Sequence, residues 1–164
     1  MIYLDNGATS FPKPLAVKRA MMAAMDHCAN PGRGGHKPAM DAAETVYRCR
    51  EEAGRFFHCP PEWVVFTQNC THGLNIAIRS LVKPGDKVVI SGFEHNAVTR
   101  PLHQLGAKIT VAGRRLFDQE DTLTQLEKAI KNGAKAAVFT HVSNVFGYIL
   151  PAEQMAACTE VYKV

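Results

Sequence analysis

The sequence predicts an α/β protein built on a mostly parallel sheet. Short apolar runs alternate along the chain with segments of helical periodicity. These runs are apolar at consecutive positions, which is typical of strands that covering helices bury on both faces. No internal repeat, linker or low-complexity segment divides the 164 residues. Because ligands of such sheets bind beyond the carboxyl ends of the strands, we expect function in the segments that follow the strands.

The first part of the chain is predicted to form two helices joined by a glycine-rich loop. A helix is expected over residues 14–27, with one apolar stripe made by Val17, Ala20, Met21, Ala24 and Met25. The loop NPGRGGH at 30–36 contains glycines that permit positive φ and close backbone approach. Residues 40–57 form the longest predicted helix. Its inner side should hold Ala43, Val46, Tyr47, Ala53 and Phe57, and its outer side Glu44, Arg48, Arg50 and Glu51.

Strands and helices are predicted to alternate over the rest of the chain. The strands are expected at 64–66, 88–90, 109–111 and 136–139, and the helices between them at 71–81, 97–105 and 123–131. The last of these helices should begin with a capping box, Thr122 with Gln125, and stop at Asn132-Gly133. A further helix is expected after Pro151. The segments that follow the four strands are 67–75, 91–98, 113–117 and 140–147.

Composition excludes several classes of function. The net charge of +4 comes from scattered lysines and arginines, so the sequence predicts no nucleic-acid partner and no membrane surface. The N-terminus has no basic region followed by a long apolar stretch, so no secretory signal or transmembrane span is expected. The five cysteines are irregularly spaced and form no CxxC pair. Free thiols in a reducing cytoplasm and no metal site are therefore predicted, although seven histidines accompany them.

The segment TQNCTHG at 67–73 is a candidate phosphate site. It follows a predicted strand and opens a helix, where free backbone N–H groups and the positive end of the helix dipole favour an anion. Thr71 can add a hydroxyl group. The alternative is an ordinary strand-to-helix turn with a helix cap. The nucleotide-binding patterns GxGxxG and GxxxxGK[ST] do not occur in the sequence.

Two further polar segments follow predicted strands. In SGFEHN at 91–96, His95 can lie flat over an aromatic cofactor ring and exchange protons with a substrate. Glu94 is either the orienting partner of His95 or a solvated charge. In HVSNVFG at 141–147, Asn144 offers an amide donor to a ring oxygen and Gly147 permits a tight turn. The alternatives are an ordinary loop histidine and an asparagine that bonds its own backbone.

Four stretches of the chain resemble one known family. The opening YLDNGATSFPKP at 3–14, the loop at 30–36, the pair Glu94-His95 and the run HVSN at 141–144 are similar, in this order, to cysteine desulfurases. These are class-V aminotransferases among the fold-type I enzymes that use pyridoxal 5'-phosphate (PLP), close to selenocysteine lyases. The resemblance covers essentially the whole chain and implies a transferase or lyase acting on an amino acid.

The resemblance also implies roles for individual residues. Cys70 and Thr71 lie where the family binds the phosphate of PLP, often with two threonines, so Cys70 is a departure that loses one hydroxyl. His95 matches the histidine that stacks on the pyridine ring and moves substrate protons. Asn144 matches the asparagine near the phenolic oxygen of the ring. Arg33 and His36 fall in the glycine-rich stretch near the entrance to the active site.

The family's remaining catalytic groups are expected downstream of the sequence given. They are the aspartate at the pyridine nitrogen, the lysine that holds PLP covalently, the persulfide-forming cysteine and the arginine that binds the substrate carboxylate. The resemblance thus implies an N-terminal arm, helix and loop over residues 1–37 and the first half of the PLP-binding domain over 38–164. A truncated desulfurase, inactive alone, is the expectation, as a homodimer, a self-associating chain or with a companion chain.

Two alternatives to a cysteine desulfurase stay open from the sequence. One is another class-V enzyme, either a selenocysteine lyase or an aminotransferase. The other is a non-catalytic remnant.

Overall fold

The structure is a computed structural model that describes residues 2–162. It divides into two compact units, Met1–Phe66 and Thr67–Val164. The division predicted from the sequence, after residue 37, stays a prediction. None of the helices in the described part of the chain is long and apolar enough to cross a membrane.

The first unit contains the two predicted helices, α1 (Leu15–His27) and α2 (Lys37–Phe57), followed by a 3-10 helix, Pro61–Trp63. The residues of the expected apolar stripe of α1 are exposed apart from the half-buried Ala24, and the helix has no fully buried residue. The helix itself is confirmed, and its apolar stripe has little covering surface within the described residues.

The second helix begins three residues earlier than predicted, and its predicted inner side is correct in part, since Ala43, Val46 and Ala53 are half-buried. Its buried residues are Ala39, Ala42 and Gly54, whereas Tyr47 and Phe57 are exposed and Arg50 is half-buried. The buried residues are small, which lets other parts of the chain approach the helix closely. A Cβ on Gly54 would lie 2.6 Å from the carbonyl oxygen of Cys59, because the chain folds back over the end of the helix.

Residues 64–66, predicted as the first strand, form no strand. Val65 and Phe66 are mostly exposed, and no neighbouring strand pairs with them in residues 2–162. An apolar run needs a hydrogen-bonding neighbour to become part of a ladder, and the run alone does not supply it.

The second unit is the predicted parallel α/β sheet. Its elements alternate along the chain as α3 (Cys70–Leu81), β1 (Lys87–Ser91), α4 (Asn96–Gln104), β2 (Lys108–Ala112), α5 (Gln119–Lys131), β3 (Ala136–Val138) and α6 (Ala152–Tyr162). The strands lie in the order β2-β1-β3 and all pairs are parallel. This confirms the predicted fold class and three of the four strands.

Helices cover both faces of the central strand. Val88 and Ile90 pack in a core with Ile78 of α3 and Leu102 of α4. Val89, between them, packs in a second core. Its other members include Leu126 and Ile130 of α5, Met155 of α6 and Ala112 of β2. Alternate residues of β1 thus enter opposite cores, as the continuous apolar run predicted.

The start of α5 differs from the predicted capping box. Asp118 is the N-cap residue, and its carboxylate accepts from the N–H of Asp121 at 2.9 Å. Thr122 is fully buried one turn into the helix and donates its hydroxyl to the carbonyl of Asp118 at 3.2 Å. The predicted stop is confirmed, since Asn132 follows the last helical residue and Gly133 has a φ of +83°.

Candidate functional site

The carboxyl ends of the three parallel strands meet at one edge of the sheet. The turn after β1 passes directly over the turn after β2, where the N–H of Gly92 donates to the carbonyl of Gly113 at 3.0 Å. A Cβ on Gly92 would lie 2.4 Å from that carbonyl oxygen. Gly113 itself has a φ of +72°. Only glycine permits so close an approach, which fixes the turn that carries Glu94 and His95.

The start of α3 offers unpaired backbone donors. Asn69 is the N-cap residue: its side chain accepts from the N–H of His72 at 2.9 Å, and its carbonyl accepts from the N–H of Gly73 at 3.1 Å. Within the described residues, these bonds leave the N–H groups of Cys70 and Thr71 without a protein acceptor. The alternative interpretation of this segment, a turn with a helix cap, is met by Asn69. Thr71 does not cap the helix.

His95 is the N-cap residue of α4. Its Nδ1 accepts from the N–H of Ala97 at 3.0 Å, so the neutral ring carries its proton on Nε2. The imidazole is exposed. This histidine is thus neither packed in the core nor bonded to the neighbouring Glu94.

Thr71 and His95 line one cavity of about 280 Å³ between α3 and α4. Arg100 and Asn75 also line it. Arg100 was not among the residues predicted from the sequence. The signal that points to it is its spacing, since Asn96, Arg100 and Gln104 follow one another at intervals of four on one helix face.

The carboxylate of Glu94 ties two strand ends together. Its Oε1 accepts from the hydroxyl of Ser91 at 2.5 Å and from the N–H of Thr140 at 2.6 Å. Burial raises the pKa of Glu94 above its ordinary value, and the two hydrogen bonds oppose that rise. Both interpretations offered from the sequence were wrong, because Glu94 neither orients His95 nor lies solvated.

Asn144 lies in a turn that its neighbour stabilises. The hydroxyl of Ser143 accepts from the N–H groups of Val145 and Phe146, at 3.4 and 3.3 Å. Gly147 has a φ of +63° and donates its N–H to the carbonyl of Ser143 at 2.9 Å, which confirms the predicted tight turn. The alternative from the sequence was that the Asn144 side chain bonds the backbone of its own turn. The Ser143 hydroxyl makes these bonds instead, and Asn144 is exposed.

Arg33 and His36 belong to the first unit. Both are exposed, and the His36 ring lies against Gly34, where an added Cβ would be 3.0 Å from two ring atoms. Their role at an active-site entrance stays a prediction, as do the roles of Cys70, Thr71, His95 and Asn144.

The donors around the cavity fit a phosphate-bearing aromatic cofactor such as PLP. Free N–H groups at a helix start, the Thr71 hydroxyl and the Arg100 guanidinium suit a phosphate, and the exposed imidazole of His95 suits a flat ring. Cys70 has a free N–H and no hydroxyl at the start of α3, but neither Cys70 nor Asn144 is among the residues that line the cavity. Across residues 2–162, no three His, Cys, Asp or Glu side chains are placed to share a metal ion.

Comparison with known proteins adds the family context. The profile of the Aminotransferase class-V family matches residues 2–164. A protein of Pyrococcus abyssi named probable cysteine desulfurase is 33% identical over 94% of the chain and 40% of its own length. Another of that name, from Synechocystis sp., is 29% identical over 95% of the chain and 39% of its own length.

Solved structures agree with this match. The apo structure of a cysteine desulfurase from Thermococcus onnurineus NA1 superposes with a TM-score of 0.86 at 31% identity, over 99% of the chain and 42% of that protein. The chain therefore spans about two fifths of the length of these relatives, in their N-terminal portion.

Proposed function

The chain belongs to the class-V aminotransferase family, and on that basis we propose that it forms the phosphate-binding and ring-stacking part of a PLP site in a cysteine desulfurase. The observation that carries the proposal is the shared cavity, which Thr71 and His95 line from two different helices. The names of the relatives favour L-cysteine as the substrate over selenocysteine. The proposed reaction removes sulfur from L-cysteine, leaving L-alanine and a persulfide on an enzyme cysteine.

Each residue of the proposed site has a distinct task. The N–H groups of Cys70 and Thr71 and the Thr71 hydroxyl hold the phosphate, with Arg100 as a nearby positive charge. Asn144 donates its amide to the ring oxygen. His95 lies against the ring face and handles substrate protons. PLP, when bound, supplies the electron sink that stabilises negative charge on the substrate carbon.

Proton transfer by His95 is coupled to the cap of α4. Because Nδ1 accepts from the N–H of Ala97, the neutral ring can donate a hydrogen bond from Nε2. It can take up a second proton only at Nδ1, and that step requires the bond from Ala97 to break. The proposed proton shuttle therefore includes a small movement of the ring away from the start of α4.

A polypeptide limited to these 164 residues is proposed to bind PLP without covalent attachment and to be inactive. None of the lysines in residues 2–162 lines the cavity. The complete activity is proposed for a protein in which the remaining catalytic groups are supplied. Unpaired cysteines at all five positions support a reducing compartment, and we propose a cytoplasmic homodimer.

Titration of the 164-residue chain with PLP tests this proposal, with pyridoxal, which lacks the phosphate, as the matched ligand. We expect saturable PLP binding, much weaker pyridoxal binding, and no single stoichiometric pyridoxyl-lysine after borohydride reduction and peptide mass spectrometry. Equal affinity for the two ligands would contradict the phosphate site. One fully labelled lysine would contradict noncovalent binding.

A further inference from the structure

We propose that Glu94 is a positioning residue of this site, an inference that rests on the function proposed above. Its carboxylate fixes the turn after β1, which carries His95, to the start of the loop after β3, which carries Asn144. The link thereby holds His95 and Asn144, the two residues proposed to contact the cofactor ring, at a set separation.

A continuous series of hydrogen bonds makes this connection. The N–H of Phe93 donates to the Ser91 hydroxyl oxygen at 3.2 Å, and that hydroxyl donates to Oε1 of Glu94. The N–H of Thr140 donates to the same oxygen from the other strand end. Ser91 is 1% exposed, so water does not compete for these bonds at its side.

The loop after β3 is internally braced, so fixing its start fixes the whole loop. The N–H of Ser143 donates to the carbonyl of Tyr148 at 2.9 Å, and the N–H of Leu150 donates to the carbonyl of His141 at 2.9 Å. The Phe93 ring makes an edge contact with Tyr148, with ring centroids 5.2 Å apart. Glu94 thus supplies the polar anchor, and Phe93, its neighbour, supplies an apolar one.

The placement of Glu94 has an energetic cost that a surface charge would not have. Half-burial disfavours the carboxylate, as the direction of its pKa shift indicates. Two hydrogen bonds to one oxygen offset part of this cost, and bonds to a charged acceptor are stronger than neutral ones. A glutamine can accept the same two bonds through its amide oxygen, whereas alanine can accept neither.

Asp86 offers a matched control at the opposite edge of the same sheet. Its carboxylate accepts from the N–H of Lys83 at 2.9 Å and from Nζ of Lys135 at 2.8 Å. It therefore links the beginning of β1 to the beginning of β3, as Glu94 links their ends. Removing the Asp86 carboxylate therefore breaks a link between the same two strands at the end that lies away from the proposed cofactor site.

The experiment compares Glu94→Ala, Glu94→Gln and Asp86→Ala in the protein expressed from its complete reading frame. Four quantities are measured: the hydrogen exchange of the Thr140 amide, the visible circular dichroism of bound PLP, the dissociation constant of PLP and the melting temperature. For Glu94→Ala we expect about 10-fold faster exchange at Thr140, a weakened dichroism signal and about 10-fold weaker PLP binding, since bonds to a charged group are lost. Glu94→Gln should restore the first three quantities, and Asp86→Ala should lower the melting temperature and leave the other three unchanged.

Two outcomes would overturn the proposal. One is unchanged exchange at Thr140 in Glu94→Ala. The other is faster exchange with wild-type dichroism and PLP affinity, which would make Glu94 merely structural. A wild-type protein that binds no PLP would refute the proposed function and the positioning role with it, and exchange at Thr140 would still report whether the Glu94 link exists.

Discussion

At the residue scale, His95 caps α4 and is proposed to transfer protons, and both roles use the same ring nitrogen. Nδ1 caps α4 through the N–H of Ala97, and Nδ1 must also accept any second proton. An alanine variant would remove the cap together with the chemistry, and loss of a cap costs about 0.5–2 kcal/mol of stability. Asparagine is among the best N-cap residues and cannot transfer protons at neutral pH, so it separates the two roles.

We therefore predict that His95→Asn keeps the wild-type melting temperature and PLP content. Its rate of alanine formation in the complete protein should fall by about 10²–10⁴, the usual contribution of a general acid or base. His95→Ala should lose the same activity and also melt at a lower temperature. An active His95→Asn enzyme would contradict the proposed proton role.

Thr71 is predicted to act on the cofactor and not on the helix. Since Asn69 already caps α3, Thr71→Val should leave the melting temperature unchanged and weaken PLP binding by about 1–3 kcal/mol. Thr71→Ser keeps a hydroxyl and should bind like the wild type. The control is Asn69→Ala, in which the melting temperature should fall. A valine variant with unchanged PLP affinity would exclude a phosphate contact by the hydroxyl.

At the element scale, the turn after β1 is held by backbone contact as well as by Glu94. Gly92→Ala would bring a Cβ within 2.4 Å of the carbonyl of Gly113, and a backbone atom cannot move aside cheaply. We predict a destabilised protein with displaced His95 and weaker PLP binding. Gly106→Ala, at a turn where an added Cβ meets nothing within 4 Å but φ is +68°, controls for backbone strain alone. Equal PLP affinity in both variants would refute a role for this contact in the site.

Sequence patterns predicted most of the helices and strands but not all of their bounds. Apolar runs identified β1, β2 and β3. The run of β1 is the clearest, because a strand buried on both faces has no polar alternation to obscure it. The start of α5 was missed because Asp118 and Thr122 can each cap a helix, and only packing decides that Thr122 is buried. Residues 64–66 were misassigned because strand formation depends on a neighbour that an apolar run does not reveal.

Some features of the candidate site could likewise be predicted from the sequence, and others could not. Thr71 and His95 were identified because each follows a predicted strand end and opens a predicted helix in the sequence, and the fold brings them to one cavity. The partner of Glu94, Thr140, lies 46 residues away along the chain. No local pattern encodes such a contact, so its bond required the structure. Arg100 was not predicted, because its spacing on one helix face does not reveal that this face lines a cavity opposite α3.

At the scale of the whole molecule, much apolar surface is exposed. In the first unit, Phe56 and Phe57 are 77% and 70% exposed and Trp63 is 76% exposed. In the second unit, the outer edges of β2 and β3 pair with no other strand among residues 2–162. Exposed apolar patches and unpaired strand edges promote association.

We predict that the 164-residue chain self-associates or needs a companion polypeptide. Light scattering across a range of concentrations should report a mass above the 18.0 kDa of a single chain. Phe56→Ser/Trp63→Ser should reduce the mass if the exposed rings drive association. A stable monodisperse monomer of the wild-type chain would contradict this expectation.

The central claim is that PLP binds where the starts of α3 and α4 meet the cavity that Thr71 and His95 line. An amide chemical-shift titration of the isotope-labelled chain with PLP tests it most directly. We predict that the largest shifts fall on the N–H groups of Cys70, Thr71 and residues 95–97, and that pyridoxal leaves the first two nearly unmoved. Shifts of equal size spread over the surface, or none at the start of α3, would contradict it.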